Sequence, residues 1–393
     1  MNILRIAYDW PDENVNLEST ALGSYELSLA QAKLGHKIYI LCANLNGKNL
    51  REKRYHYKLK NQQIEVFNLL RLPKFIQIFL APSVFVLFYY FYLKFKKKID
   101  LIHIHGYLGV WFLFYKFIFG LVDRTVVIGQ YEKTAKGNEL AILIQGKKIS
   151  LFSKIFEYPI NKFSDLLMSK VCKDVVAVSK GVSDEVSKFY KKDSSRIHIL
   201  DSAIDTEKFK RDGKKYDFKF DKKSIILASG DRLSKRRNID ALVESMCFLP
   251  EEYKLVLWGI WQEGLKSKVD EIISKNGLGD RVKYIEKISY FKVDEIFRSI
   301  DMLILPFSYV GILKVVIEAL ASGVKVLAGG FNFRKRIPDA YLLDDIEPQY
   351  LARRILYVDK LSQSYNETRE IIKAYYSWDA KAKDLEEIYR KST

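Results

Sequence analysis

The segment SIILASGDRLSKRRNIDALVESM (224–246) is the most informative in the chain. It opens on a continuous apolar run ending in small residues, which reads as a strand covered on both faces. A short basic segment follows, then a helical pattern from Ile239. Strand, loop and helix in that order is the unit from which parallel, doubly wound sheets are built, and ligands bind beyond the carboxyl ends of their strands. Here Gly230 is followed by Arg232, Lys235, Arg236 and Arg237, with a helix N-terminus just beyond. Cations and unpaired helical N–H groups both favour an anion such as a pyrophosphate. A bare basic run also describes a solvated loop; the position at a strand end favours a site.

The same unit recurs on either side. Apolar runs lie at 3–8, 37–42, 63–67, 100–105, 125–129, 174–178 and 196–200, then at 224–229, 254–259, 281–285, 300–305 and 324–328. Between them, Leu22, Tyr25, Leu29 and Ala32 share one helical face, with Ser24, Ser28 and Gln31 opposite and Gly35 closing the helix. Further helical patterns cover 239–248, 264–276 and 293–299. The charged stretch 208–223 separates the two series. The 393 residues therefore read as an α/β chain of two doubly wound, Rossmann-like domains facing across a cleft.

The formal charge is +17 and uneven: residues 1–200 hold 30 basic against 17 acidic residues, and 201–393 hold 35 against 31. An anionic partner therefore belongs to the first half. The basic residues form no arginine-rich stripe or recognisable reading module, which argues against nucleic acid. Residues 75–95 (FIQIFLAPSVFVLFYYFYLKF) are strongly apolar and aromatic, interrupted by Gln77, Pro82 and Lys94, and followed by Lys96, Lys97 and Lys98. Three readings stand: an interfacial helix on anionic lipid, a buried core helix, or a membrane span. Residues 111–122 repeat this character with Lys116 embedded. The first eight residues read as a strand, not a signal peptide. Cys42, Cys172 and Cys247 have no paired spacing, so a reducing, cytoplasmic setting is expected.

Three more strand-end loops carry candidate chemistry. Beyond the first strand, the loop from Tyr8 leads to Gly23 at a helix entry, where a phosphate or sugar could approach the backbone; a structural turn glycine is the plainer reading. Beyond 300–305, Gly311, Ile312 and Leu313 precede a helix carrying Glu318 among Val315, Val316, Ile317, Ala319 and Leu320. A buried acid needs a partner, either a sugar diol or an internal cation. His103 and His105 share one face of a strand end, as an active-site rim or as structural histidines. No Asp, Glu or Cys lies near them at metal-ligand spacing.

Taken in order, GSYELSLAQAKLGHKIYIL (23–41), IDLIHIHG (99–106), VVAVSKGVSDEV (175–186), ILDSAIDTEKF (199–209), GDRLSKRRNIDALVESM (230–246), PFSYVGILKVVIEALASGVKVLA (306–328) and YSWDAKAKDLEEIY (376–389) resemble the retaining group 1 glycosyltransferases of family 4, which have the GT-B fold. The resemblance implies an acceptor-side domain (1–205), a donor-binding domain (206–375) and a terminal helix (376–393) crossing back to the first domain. It implies a nucleoside-diphosphate sugar as donor, no metal cofactor, and diphosphate binding by Arg232 and Arg237. Backbone N–H groups of Gly230 and Gly311–Leu313 would face the phosphates and sugar, and Glu318, the second Glu of the family's E-x7-E pattern, would bind the ribose. The first Glu of that pattern is Val310 here. The family's active-site histidine aligns with Tyr131, and the catalytic set carried over is therefore Arg232, Arg237, Tyr131 and His105, with Gly23 and Tyr131 on the acceptor side. The expected activity is transfer of a hexose or N-acetylhexosamine to a lipid-linked or surface-glycan acceptor, on the cytoplasmic face of a membrane. The alternative is a non-catalytic nucleotide- or sugar-binding subunit paired with an active transferase. The oligomeric state is left open.

Overall fold

The computed structural model describes the chain apart from residues 8–18, 43–55, 59–62, 70–81, 145–148, 287, 289–291, 308–312, 331–332, 334 and 393. Two units are resolved: Met1–Asp201 together with Trp378–Thr393, and Ser202–Ser377. Unit 1 carries β1 (Asn2–Ala7), β2 (Lys37–Cys42), β3 (His56–Lys58), β4 (Ile64–Asn68), β5 (Leu101–His105), β6 (Val126–Tyr131), β7 (Val175–Ala177) and β8 (Ile197–Ile199). Their order is β3-β4-β2-β1-β5-β6-β7-β8. All neighbours are parallel except β3 and β4. Unit 2 carries β9 (Ile225–Leu233), β10 (Tyr253–Trp261), β11 (Val282–Ile285), β12 (Met302–Leu305), β13 (Lys325–Ala328) and β14 (Ala340–Leu342), in the all-parallel order β11-β10-β9-β12-β13-β14. Each of the twelve apolar runs of the sequence is a strand. The short β3 and β14 are additional.

The crossover segments of unit 1 include α1 (Ser19–Lys33), α2 (Pro82–Lys97), α3 (Val110–Phe119), α4 (Ala135–Ile144), α5 (Tyr158–Val171) and α6 (Lys180–Tyr190). In unit 2 they are α7 (Ile239–Ser245), α8 (Leu265–Lys275), α9 (Val293–Phe297), α10 (Lys314–Ala321), α11 (Pro348–Asp359) and α12 (Tyr365–Tyr376). The last helix, α13 (Trp378–Ser392), belongs to unit 1.

Strand alternation sends side chains to both faces of each sheet, so each unit has two cores. In unit 1, Leu4, Ile6, Ile102 and Ile104 pack with Val86, Tyr90 and Leu93 of α2 and Phe112 and Leu113 of α3. On the other face Ile3, Ile38 and Leu101 pack with Leu27 of α1 and Leu385 and Tyr389 of α13. Unit 2 is layered in the same way, with α10 and α12 on one face and α7, α8 and α11 on the other.

The aromatic segment at 75–95 becomes, in its described part, the sixteen-residue α2. Among the described residues no helix is long and apolar enough to cross a membrane. Val86, Tyr90 and Leu93 form its buried face, at the i, i+4, i+7 spacing of one helical stripe. Phe88, Tyr92 and Phe95 lie on the other face and are 67%, 48% and 88% exposed. The neighbouring α3 does the same: Phe112 and Leu113 are buried, while Phe117, Ile118 and Phe119 are exposed. Lys116, embedded in that apolar run, is itself buried. Its amine donates to the backbone carbonyls of Asp123 and Thr125 and lies 3.6 Å from the Asp123 carboxylate. Asp123 also accepts from Tyr90 and Lys94 of α2. One buried carboxylate thus ties the two aromatic helices together. Burial alone would raise the Asp123 pKa, but these hydrogen bonds outweigh it and hold the carboxyl well below the usual range.

Candidate functional sites at the two sets of strand ends

Unit 1 gathers a polar cluster where β1, β5 and β6 end. The local reason is strand alternation in a parallel sheet. His103 and His105 lie two residues apart on β5, and His105 pairs in register with Gln130 of β6, so these side chains share a face. Their rings are 4.3 Å apart. His105 Nδ1 lies 3.4 Å from Ser24 Oγ and 3.6 Å from Glu132 Oε1. The Gln130 amide donates to the same Glu132 oxygen at 2.6 Å. Burial lowers the pKa of both histidines below the ordinary value, His103 strongly, so both are neutral near pH 7.

Beneath them Arg5 of β1 is fully buried. Its guanidinium donates to the Ser24 carbonyl, to Ser28 Oγ and to Gln31 Oε1. Ser24, Ser28 and Gln31, opposite the apolar face of α1, are buried as well, because α1 packs this polar stripe over Arg5. Gly23 does not open a helix. α1 starts at Ser19, so Gly23 falls in its second turn, where the N–H has an intrahelical acceptor. A Cβ on Gly23 would only touch the Trp378 ring, at 3.6 Å. The loop before α1 lies outside the described residues.

Tyr131 is placed differently from its expected role. It is 1% exposed, stacks on Tyr190, and donates its hydroxyl hydrogen to the Asp165 carbonyl at 2.7 Å. Burial raises its pKa well above the ordinary tyrosine value. Its side chain is a core element with its donor already used, because alternation sends residue 131 to the face opposite Gln130 and Glu132. Sequence reasoning missed Glu132. The signal was present: a polar pair at 130 and 132 flanks an aromatic residue at a strand end.

In unit 2 the strand β9 runs on to Leu233, four residues past the expected end, because β10 continues beside it as far as Trp261. Gly230 and the backbone of Arg232 therefore lie in the ladder, opposite Trp258 and Ile260; the Arg232 side chain lies outside the described part. A Cβ at Gly230 would fall inside the Trp258 indole, which gives this glycine a packing reason. The turn Lys235–Arg237 follows, and the Arg237 guanidinium donates to the Gly230 carbonyl. Asn238, at φ 45°, turns the chain into α7 and donates to the Pro306 carbonyl at 2.6 Å, joining the ends of β9 and β12.

Beyond β12, Val310, Gly311 and Ile312 lie outside the described residues, whereas Leu313 is the N-cap of α10 and has no side-chain oxygen with which to cap it. Glu318, one turn into α10, is 6% exposed and sits 3.7 Å from Lys314 Nζ. The half-buried Lys208 amine interacts with it as well. Burial draws the pKa of Lys208 down to about 8, against the opposing pull of Asp294 and Glu318. Glu318 is therefore a buried acid compensated by lysines, at a distance longer than a closed ion-pair hydrogen bond. Among the described residues no three His, Cys, Asp or Glu side chains converge as a metal site.

Comparison with known proteins covers both halves of the chain. Residues 23–208 match the model of Glycosyltransferase Family 4, and residues 210–373 match that of Glycosyl transferases group 1. No curated protein sequence matches the chain. Among solved structures, a glycosyltransferase from Rickettsia africae is 16% identical with a TM-score of 0.70, over 99% of this chain and 98% of that one. Sucrose-phosphate synthase from Thermosynechococcus elongatus is 16% identical with a TM-score of 0.66, over 99% and 98%. Anabaena HepE, solved with UDP and glucose, is 14% identical with a TM-score of 0.63, over the full length of both chains. At these identities the likeness is one of fold: two Rossmann-like units of GT-B type.

Proposed function

We propose that this chain, which belongs to the group 1 glycosyltransferases of the family 4 type, transfers a sugar from a nucleoside diphosphate to a lipid-linked or surface-glycan acceptor, with retention at the anomeric carbon. The observation that carries the reading is the pairing, within unit 2, of a cationic turn at the end of β9 with the buried carboxylate Glu318 beyond the end of β12. A diphosphate leaving group gathers negative charge as the sugar–oxygen bond breaks. Arg232 and Arg237 would stabilise it there, and a group placed this way typically contributes a factor of about 10²–10³ in rate. Glu318 would accept from the two ribose hydroxyls, with Lys314 and Lys208 beside it. Backbone N–H groups at Gly311–Leu313 would meet the phosphates and sugar. No metal is needed where cations do this work. HepE, whose complexes contain UDP and UDP-glucose, supports a nucleotide-sugar donor for this fold.

The acceptor half of the reading rests on unit 1. Beside the exposed aromatics on α2 and α3, Leu121 and Val122 after α3 are 93% and 87% exposed, and Leu151, Phe152 and Ile155 before α5 are exposed too. Lys94, Lys96, Lys97 and Lys98 follow the aromatic stripe of α2, and the Lys96 amine lies over the Tyr92 ring. Aromatics flanked by lysines suit the interface of an anionic bilayer, the cytoplasmic leaflet in a cell.

Purified protein tests both halves. A thermal-shift screen of nucleotides and nucleotide sugars should find a stabilising base and sugar, since a ligand bound by the native state raises stability by mass action. Turnover of that donor should fall at least a hundredfold in Arg232→Ala. Binding without turnover would favour the pseudo-enzyme, and turnover unchanged in Arg232→Ala would remove Arg232 from the diphosphate site. Co-sedimentation with anionic, but not neutral, vesicles is expected for the membrane reading; equal absence from both would end it.

A further inference from the structure

Arg5, Tyr389, His103, Gln130 and Glu132 run from the floor of unit 1 to its surface. Tyr389, on α13, is fully buried, and its hydroxyl lies 2.7 Å from His103 Nδ1. Arg5 and Gln31 also hydrogen-bond that hydroxyl. A guanidinium can only donate, so Arg5 occupies a lone pair of the Tyr389 oxygen; the chain proposed here is the one in which the hydroxyl hydrogen turns to His103 Nδ1. His103 then carries its own hydrogen on Nε2. That nitrogen and Gln130 Oε1 are both buried and have no closed hydrogen bond. They are a donor and an acceptor on adjacent strands, and they interact with each other. The Gln130 amide, its carbonyl turned toward His103, gives its hydrogen to Glu132 Oε1 at 2.6 Å. In this order each donor faces the next acceptor, from a fixed cation to a carboxylate, with the step from His103 to Gln130 not closed to hydrogen-bond distance.

Glu132 is where the chain reaches water. Its side chain is 30% exposed, and its second carboxylate oxygen has no partner among the described residues. It stands just past the end of β6, where doubly wound sheets bind ligands. Beside it, His105 is neutral, 6% exposed, and its Nε2 has no hydrogen-bond partner among the described residues. The geometry points to Glu132 as the residue that accepts a hydrogen bond from a hydroxyl of the acceptor sugar or polyol, with Tyr389 as a positioning residue that orients it through His103 and Gln130. No bond is made or broken at Glu132; it binds and aims the hydroxyl. The inference rests on the glycosyl-transfer reading above, and it explains how α13, the last segment of the chain, serves the first unit's site.

Two measurements test it on the full-length protein. In a ¹⁵N-labelled sample with five histidines, identified by single His→Asn variants, His103 should hold its hydrogen on Nε2 at pH 7. Tyr389→Phe should change that signal and leave the folded spectrum intact. A His103 with its hydrogen on Nδ1 overturns the chain, whatever the enzyme does. For activity, the donor chosen by thermal shift is offered with a panel of alkyl glycosides. Glu132→Gln should lower kcat/KM for the acceptor at least tenfold while the donor's thermal shift is kept. Tyr389→Phe should lower kcat about threefold or more without raising the donor KM, and Glu132→Asp should recover part of the loss. Wild-type turnover that Glu132→Gln leaves unchanged overturns the assignment alone. Absence of wild-type turnover marks failure of the underlying reading, and the histidine tautomer still judges the chain.

Discussion

Among the described residues, unit 1 buries Arg5, Glu65, Lys116, Asp123, Asp165, Asp174 and Lys381 and exposes seventeen large apolar side chains; unit 2 buries Arg281, Glu318 and Asp339 and exposes seven. The scaffold is the same, so the fold does not demand this difference. In unit 2 the helices are held by apolar faces turned to the sheet. Several helices of unit 1 are also tied from inside by buried, hydrogen-bonded carboxyl groups. Asp123 links α2 to α3; Asp165 accepts from the Ala135 N–H of α4 and the Tyr190 hydroxyl of α6; Asp174 bonds His198 of β8 and Ser392 of α13. Helices anchored in this way keep an outer face free to be apolar, which is what an interfacial surface requires.

The comparison breaks most readily at Asp123. Removing one partner of a buried ion pair leaves the other charge uncompensated, so Asp123→Ala should cost about 3–5 kcal/mol in urea unfolding. A loss below about 1 kcal/mol would mean that apolar packing alone holds α2 and α3. Asp165 offers a test with a sign. Burial pushes its carboxyl up to about 7, against the pull of the Ala135 and Tyr190 hydrogen bonds, from an ordinary 3.8. The folded state thus binds this proton more tightly than the unfolded chain. Its contribution is most favourable below about pH 4, is lost as pH rises to about 7, and is constant beyond. Asp165→Asn should therefore leave stability at pH 4 unchanged and raise it by about 1–3 kcal/mol at pH 8. Parallel pH profiles of the two proteins would contradict this.

Unit 2 should fail through packing instead. Gly230→Ala places a methyl group against the Trp258 indole, and overpacking of this kind costs about 1–3 kcal/mol. An unperturbed tryptophan emission together with an unchanged unfolding midpoint would show that the indole moves freely. The smallest effect is expected on the outer face of α2. Phe88→Ser with Phe95→Ser should change stability by no more than about 0.5 kcal/mol, as surface substitutions do. The same variant should reduce recovery on anionic vesicles. A large loss of stability would make those rings structural.

Much of the fold was legible because strand formation leaves a local trace. Continuous apolar runs marked twelve of the fourteen described strands, and glycines marked helix ends such as Gly35, at φ 87°. β3 escaped because His-Tyr-Lys has no apolar run to report it, and the short β14 pairs along one edge only, with β13. The ends of β9 and β10 were misjudged for another reason: each is lengthened by the other, and no property of either segment announces its partner. In α1 nothing local distinguishes a polar face that meets water from one that meets Arg5. At the candidate sites, Arg237 and Glu318 were visible as charges out of place in strand-loop-helix units. Tyr131 stands where the resemblance puts the family's active-site histidine, but alternation with Gln130 and Glu132 turns it to the other face.

The sequence by itself determined two parallel α/β units, the order of their strands along the chain, the basic turn after β9 and the acid in α10, since each depends on residues within a few positions of one another. Only the tertiary structure decided which face of an all-apolar helix is buried, that Lys116 closes on Asp123, and that Tyr389 reaches His103 across 286 residues of chain. Those outcomes depend on which side chains meet in space, and burial turns the same residue into a clamp, a core group or a free surface according to the neighbour it finds.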